Sequence, residues 1–318
     1  MSTEGETESL KKFEKTYCHM VELYTSTSLP NEPKTYNEAM SSDSASKWEK
    51  AMQEEIDTLE SRGTWEIVDC PKDRQVILCK WVYRVKLDSA GEISHYKARL
   101  VARGFSQTYG VDYKEMFAPV TRLETLRMIF VLAVEKDWEI RQVNVKNAYL
   151  YGDLDEEIYM EVPEGMDIPE GKVFYLIKAL YGLKQAGRAW YHKLKSVLTE
   201  FGLKQVPSKP HLFAVQKVVK KEKLTLILPV YVDDLFPVGD KTLTDEFEQE
   251  IGKYLDITIL GDASFFLGIR VTRNRTANYP SIILDQAVYT ESILTKHKVD
   301  LNKTSKYPIS ALGTAYTE

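Results

Sequence analysis

Cysteine and histidine are both scarce in this 318-residue chain. The three cysteines, Cys18, Cys70 and Cys79, are odd in number and far apart. That excludes a disulfide-stapled framework and fits reduced thiols, with no zinc-ligand spacing. The five histidines do not cluster, so a histidine- or cysteine-based metal site is not expected. No run of about 18 apolar residues occurs, so no membrane span and no membrane partner are expected. The stretch from Met1 to Lys12 is polar and acidic, unlike the basic-then-apolar pattern of a secretory signal. These absences point to an intracellular protein. Internal repeats are absent as well.

What is present suffices for a sizeable core. Hydrophobic residues make up 43% of the chain and charged residues 28%, enough for one large or two ordinary domains. The net charge of −5 argues against a protein that simply coats nucleic acid. Locally the balance reverses. Lys80, Arg84, Lys86, Lys97, Arg99 and Arg103 stand against only Asp88 and Glu92 over that stretch. A basic segment in an acidic protein suits phosphate, although a solvated hairpin with long side chains has the same composition.

Residues 1–43 are polar and weakly patterned, and Ser26 to Ser46 reads as loop or linker. The stripe Trp48, Met52, Ile56 and Leu59 predicts a helix from about Ser44 that stops at Gly63. Trp65 to Val68 reads as a short strand. Val76 to Leu87 and Lys97 to Gly104 read as a hairpin around Asp88-Ser89-Ala90-Gly91. Helices follow over about Arg122–Lys136, Gln185–Phe201, Thr242–Leu255 and Gln286–Lys296. Strands are expected at Ile140–Val145 and Leu224–Val232, with a hairpin made of Phe265–Arg273 and Ile282–Leu284. Helices mixed with antiparallel hairpins indicate an α+β fold.

The chemistry centres on Tyr231-Val232-Asp233-Asp234, at the end of the apolar run Leu224–Val232. Adjacent carboxylates repel unless they share a cation, and Mg²⁺ commonly takes one or two protein carboxylates plus substrate phosphates. A plain turn is the alternative, since Asp is common in turns. Tyr-Val-Asp-Asp after such a strand resembles the catalytic turn of reverse transcriptases. The likeness continues in Lys80-Trp81-Val82-Tyr83-Arg84-Val85-Lys86 and in Tyr96-Lys97-Ala98-Arg99-Leu100-Val101-Ala102-Arg103-Gly104-Phe105-Ser106-Gln107. It extends through Phe117-Ala118-Pro119-Val120, Ala179-Leu180-Tyr181-Gly182-Leu183-Lys184-Gln185-Ala186 and Phe266-Leu267-Gly268-Ile269. In this order, over about residues 35–310, the motifs resemble copia-type retrotransposon polymerases.

The resemblance implies a right-hand polymerase with fingers, an antiparallel-sheet palm and a partial thumb. Fingers and palm would occupy 44–270, and the primer-grip hairpin with the start of the thumb 271–318. It implies RNA-directed DNA synthesis with two Mg²⁺ ions, or Mn²⁺ in their place. Asp233 and Asp234 would hold metal, with the backbone carbonyl of Val145 and, weakly, Asn144. Lys97 or Arg99, with Arg103, would grip the triphosphate. Arg99 and Arg103, four apart, would share one face of a regular strand. Asn147, Ala148, Tyr149 and Gln185 would border the nucleotide, with the Tyr149 ring excluding a 2′-hydroxyl. Gly182, Lys184, Tyr231, Leu267 and Gly268 would face template or primer. The partners implied are a primed RNA or DNA template and deoxynucleoside triphosphates, in a cytoplasmic virus-like particle or the nucleus. RNase H and integrase segments have no counterpart in this chain.

The main departure is at Asn144. The motif Asn144-Val145-Lys146-Asn147-Ala148-Tyr149 begins with Asn where the family carries Asp, so a neutral amide replaces a metal-bridging carboxylate. Impaired catalysis is therefore expected. Lys209 also stands near a position where many relatives carry Asp. Pro237 removes a backbone donor from the strand returning from the Asp pair, which suits only an edge or a strand end. A catalytically dead relic that still binds nucleic acid and a host interaction scaffold are the rival readings.

Overall fold

Apolar periodicity sets the long elements, and hydrogen bonding to neighbours sets the short ones. The computed structural model describes residues 32–88, 92–276 and 279–297. Most of the polar 1–43 segment, the tip of the predicted turn at 89–91 and the 298–318 part of the last segment lie outside the described residues. In chain order the first elements are α1 (Tyr36–Met40), α2 (Ala45–Ser61), β1 (Trp65–Asp69), β2 (Val76–Ile77), β3 (Cys79–Leu87), β4 (Ile93–Ala102), α3 (Leu123–Glu135) and β5 (Glu139–Val145). Then come β6 (Asp153–Met160), β7 (Lys172–Lys178), α4 (Ala186–Glu200), β8 (Lys204–Val206), β9 (Lys209–Val219), β10 (Glu222–Tyr231), β11 (Asp234–Leu235) and β12 (Val238–Gly239). The last are α5 (Lys241–Ile251), β13 (Ile257–Asp262), β14 (Phe265–Phe266), β15 (Ile269–Asn274), β16 (Ser281–Asp285) and α6 (Ala287–Lys296). The fold is a mixture of helices and largely antiparallel sheet. Among the described residues no helix is long and apolar enough to cross a membrane.

Two compact units form, and neither is one stretch of chain. Among the described residues, the first takes those up to Pro119 plus Asn147–Val197, and the second takes Val120–Lys146 plus those from Leu198. In the first unit a four-stranded sheet has the order β1-β7-β6-β2, and β3 pairs β4 in a separate hairpin. Trp48, Leu59, Ile77, Leu100, Ile158, Met160 and Phe174 are wholly buried in its core. Removing that much apolar surface from water contributes roughly 1.5–3 kcal/mol per large side chain. In the second unit a seven-stranded sheet runs β11-β5-β12-β10-β9-β8, with β13 added to β5. Leu126, Phe130, Ile140, Phe236, Val238 and Phe266 form one core there.

Several elements depart from the sequence reading. The expected loop Ser26–Ser46 contains α1, capped by Thr35 Oγ1 accepting from the Glu38 N–H at 3.2 Å. Its single buried side chain, Ala39, leaves no period for a sequence to display. The expected strand Val76–Leu87 is two strands. β2 pairs in parallel with β6, whereas β3 pairs with β4, and Leu78 between them is exposed. β6, with the sequence Asp-Leu-Asp-Glu-Glu-Ile-Tyr-Met, was not legible because acidic residues are poor strand formers; its pairing with β7 and β2 decides the matter. Pro237 sits where expected, at the break between β11 and β12.

Candidate active site

The second unit builds the carboxylate turn from a two-residue hairpin. Tyr231 pairs with Asp234 across it, leaving Val232 and Asp233 as the connection. Val232 has φ +53. A β-branched residue rarely adopts that conformation, and such strain costs on the order of 1–3 kcal/mol. The neighbouring strand β5 places Asn144 directly opposite Asp234. Its Nδ2 donates to Asp234 Oδ1 at 3.3 Å, and Gln142 Nε2, two residues back on the same face, donates to the same oxygen at 3.4 Å. The Val145 N–H donates to the Asp233 carbonyl at 2.8 Å, locking β5 to the turn. Burial holds the Asp234 carboxyl above its ordinary range. The hydrogen bond from Asn144 opposes this, the nearby Asp233 charge adds to it, and the bond from Gln142 opposes it again. The residue facing Asp234 across the strands is thus a neutral hydrogen-bond donor.

Aromatic packing ties this hairpin to a tight turn at Leu267–Gly268, which splits the expected single strand Phe265–Arg273 into β14 and β15. Leu267 and Gly268 have φ +48 and +75 and join the paired residues Phe266 and Ile269. Two positive φ values in a two-residue connection match a type I′ hairpin. The turn is exposed at Leu267. Behind it Phe266 is buried against Phe236, with centroids 4.5 Å apart, and against Tyr231 at 5.9 Å.

The first unit holds the cations. On β4, Ala98, Leu100 and Ala102 are buried, and Lys97 and Arg99 alternate with them on the half-buried opposite face. Arg103 lies beyond the strand, which ends at Ala102, so the expected shared strand face of Arg99 and Arg103 does not exist. The Arg103 N–H instead donates to the Leu78 carbonyl at 2.7 Å, turning the chain. Lys97 lines a cavity of about 220 Å³ with Glu55, Tyr96 and Asn147. Burial, and then the Arg99 charge, lower its pKa, while Glu55 raises it. The Arg99 guanidinium carbon lies 4.5 Å from the centroid of the Tyr181 ring.

The remaining predicted residues divide sharply. Tyr149 is half-buried and meets Tyr181 in a T-shaped contact, with centroids 4.8 Å apart. Ala148 is buried. Gln185 is 3% exposed, and its amide is engaged internally: Nε2 donates to the Asp112 carbonyl at 2.7 Å, and Oε1 accepts from Gln107 Nε2 at 3.0 Å. Lys184 Nζ donates to the Gln107 carbonyl and the Tyr113 hydroxyl. Gln185 braces the loop from within rather than facing an open surface, and half-buried Lys184 ties the same loop from its edge. Gly182 has φ +93, and a Cβ on it would meet the Ala102 carbonyl oxygen at 2.0 Å. A Cβ on Gly104 would meet the Gly182 carbonyl oxygen at 2.1 Å. Two strands of backbone cross here, where only glycine fits.

Sequence reasoning overlooked Gln142, Tyr181 and Phe266. A period of two back from Asn144 was enough to find Gln142. Tyr181 and Phe266 stand inside the sequence motifs, but their roles depend on neighbours distant in the chain, which no local pattern signals.

Residues 62–311 match the family model described as Reverse transcriptase (RNA-dependent DNA polymerase). The Retrovirus-related Pol polyprotein from transposon TNT 1-94 of Nicotiana tabacum is 38% identical over 282 residues, covering 88% of this chain and 21% of its own length. The corresponding polyprotein from transposon RE1 of Arabidopsis thaliana is 36% identical, covering 86% of this chain and 19% of its own. This chain therefore spans about a fifth of the length of those relatives. A solved foamy viral protease-reverse transcriptase in complex with double-stranded DNA aligns with 80% of this chain and 37% of its own, at 13% identity and a TM-score of 0.38. A superposition that loose carries no argument about ligand or arrangement. The family match and the two plant relatives decide the matter: this chain belongs to the reverse transcriptase (RNA-dependent DNA polymerase) family, in its copia-type retrotransposon branch.

Proposed function

We propose that this chain supplies the fingers, the palm and the start of the thumb of an RNA-directed DNA polymerase, and that its nucleotidyl transfer is impaired at Asn144. The observation that carries this reading is the cross-strand pair of Asn144 and Asp234, where an amide donates to the carboxylate that metal chemistry requires. The donor set fits one hard cation. Asp233 and Asp234 offer carboxylate oxygens on one turn, which suits Mg²⁺ with substrate phosphates completing its shell. Among the described residues no group of three or more His, Cys, Asp or Glu is placed to hold a metal. A second ion bridged by a third carboxylate is therefore poorly supplied. Bound Mg²⁺ would neutralise charge on the reacting phosphate and favour the primer alkoxide.

The chain's own residues then bind and orient. Arg99 and Lys97 would neutralise the triphosphate. Tyr149 would border the sugar and exclude a 2′-hydroxyl. The Leu267–Gly268 turn, braced through Phe266 to Tyr231, would support the primer end. Gln185 and Ala148, both buried, would support the nucleotide-facing residues of the first unit from behind without touching the nucleotide. The setting would be intracellular, in a cytoplasmic particle or the nucleus, beside polyprotein segments such as RNase H and integrase.

The test is Mg²⁺-dependent primer extension on RNA and DNA templates, comparing the chain with Asn144→Asp and Asp233→Asn. Asn144→Asp raises the rate. A folded Asn144→Asp protein with no gain rejects this account of Asn144. A second reading is favoured by the same missing carboxylate, namely a relic that binds primed template without extending it. Duplex binding with no extension by either form supports that reading.

A further inference from the structure

Tyr181 stands between two residues of the proposed nucleotide pocket without belonging to it. Its ring carries the Arg99 guanidinium over one face at 4.5 Å. The same ring meets Tyr149 at 4.8 Å, with the planes at 66°. Its backbone is anchored twice. The Tyr181 carbonyl accepts from the Ala102 N–H at 2.8 Å, three residues beyond Arg99 on β4. Gly182 then crosses Ala102 so closely that no side chain fits. A ring on so constrained a backbone has little freedom to follow its neighbours, so its neighbours take their places from it.

Arg99 adds a second observation. Its Nε is buried and has no hydrogen-bond partner. An unpaired buried donor on a charged group is costly, and a cation held over an aromatic face recovers part of that cost. A guanidinium held by its face rather than by a carboxylate fork keeps donors free for an oxyanion.

We infer that Tyr181 is a positioning residue whose ring holds Arg99 for the triphosphate of an incoming nucleotide and sets the Tyr149 ring beside its sugar. This rests on the nucleotide-pocket reading above and adds one consequence to it. Phosphate affinity and sugar discrimination are coupled through a residue that contacts neither group.

The experiment measures binding, so it does not depend on catalytic rate. The full chain is bound to a primer–template duplex with a dideoxy-terminated primer and an unpaired template T, in Mg²⁺. It is then titrated with dATP and with ATP. Tyr181→Phe retains both the dATP affinity and the preference for dATP over ATP. Tyr181→Leu weakens dATP by about 2- to 30-fold and narrows that preference. Pentafluorophenylalanine at position 181 keeps the ring's size but inverts its quadrupole. It weakens dATP relative to Phe at an unchanged melting temperature, which a merely structural ring would not do. Arg99→Ala and Tyr149→Ala report separately on the pocket. If they shift affinity and preference while Leu and the fluorinated ring at position 181 shift neither, the role of Tyr181 is overturned and the pocket stands. If Arg99→Ala and Tyr149→Ala shift neither, the pocket reading falls, and this inference with it.

Discussion

Two left-handed turns, one in each unit, solve the same backbone problem in different ways. At the Tyr181–Gly182 corner the chain adopts φ +93 with glycine, and the crossing leaves no room for anything larger. At the Tyr231–Asp234 hairpin it adopts φ +53 with valine, which any Cβ resists. The first turn is relaxed and sterically saturated. The second is strained. Their electrostatics differ as well. The first holds a cation, Arg99, with an unpaired donor; the second sets neutral amides, Asn144 and Gln142, against Asp234. Strain and charge frustration gather where chemistry is expected, and here amide donors ease the charge half of that frustration.

The largest expected effect sharpens that contrast. Restoring the anion with Asn144→Asp raises Mg²⁺-dependent primer extension by at least about 10²–10³-fold, the magnitude typical of a preorganised electrostatic group. Asp233→Asn removes whatever extension is present. Steady-state incorporation rates on a primed template measure both.

Next is the corner. Gly182→Ala forces a Cβ to 2.0 Å from the Ala102 carbonyl oxygen at a positive φ. It destabilises by on the order of 3 kcal/mol, read as a lower denaturant midpoint. A change of a few tenths would mean that the crossing relaxes freely, and the contrast between the two turns would then fail.

A smaller effect concerns the metal-free fold. Asn144→Asp exchanges a hydrogen bond to Asp234 for repulsion and costs about 1 kcal/mol without Mg²⁺, seen as a lower melting temperature in EDTA. The sign with pH follows from the raised Asp234 carboxyl. A carboxyl whose folded-state pKa is raised loses stability as pH rises through that pKa. The deficit of the Asp form is thus complete at neutral pH and shrinks as pH falls toward the ordinary carboxylate range. A higher melting point for the Asp form contradicts it.

The smallest effect is at Val232. Val232→Gly relieves the strain and loses part of the gain to chain entropy, leaving a net stabilisation of at most about 1 kcal/mol. Thermal melting measures it. A destabilised glycine form would mean that the valine side chain contributes packing that outweighs its strain.

Legibility in the sequence followed the range of each interaction. α2 and α5 were readable because Trp48, Met52, Ile56 and Leu59, and Leu243, Phe247 and Ile251, repeat on one face. The Asp233–Asp234 turn and its partner Asn144 were readable as motifs, and the fold pairs Asn144 with Asp234 across two strands. β6 was not readable, because its acidic residues speak against a strand until β7 supplies the ladder. Arg103 was misplaced, because β4 ends where Ala102 turns its N–H to Tyr181. Gln185 and Ala148 keep their motif positions, but burial puts them behind the surface, while Lys184 is half-buried with its ammonium turned onto Gln107 and Tyr113.

The sequence by itself determined the family, the order of the motifs and the neutral amide at Asn144, since residue identity and spacing are one-dimensional properties. Only the tertiary structure decided which side chains meet. It brought Gln142 and Asn144 to one oxygen of Asp234, seated Arg99 on Tyr181, and closed Gly104 against Gly182. The physical reason is that these contacts join residues far apart in the chain, and a local pattern carries no information about distance in space.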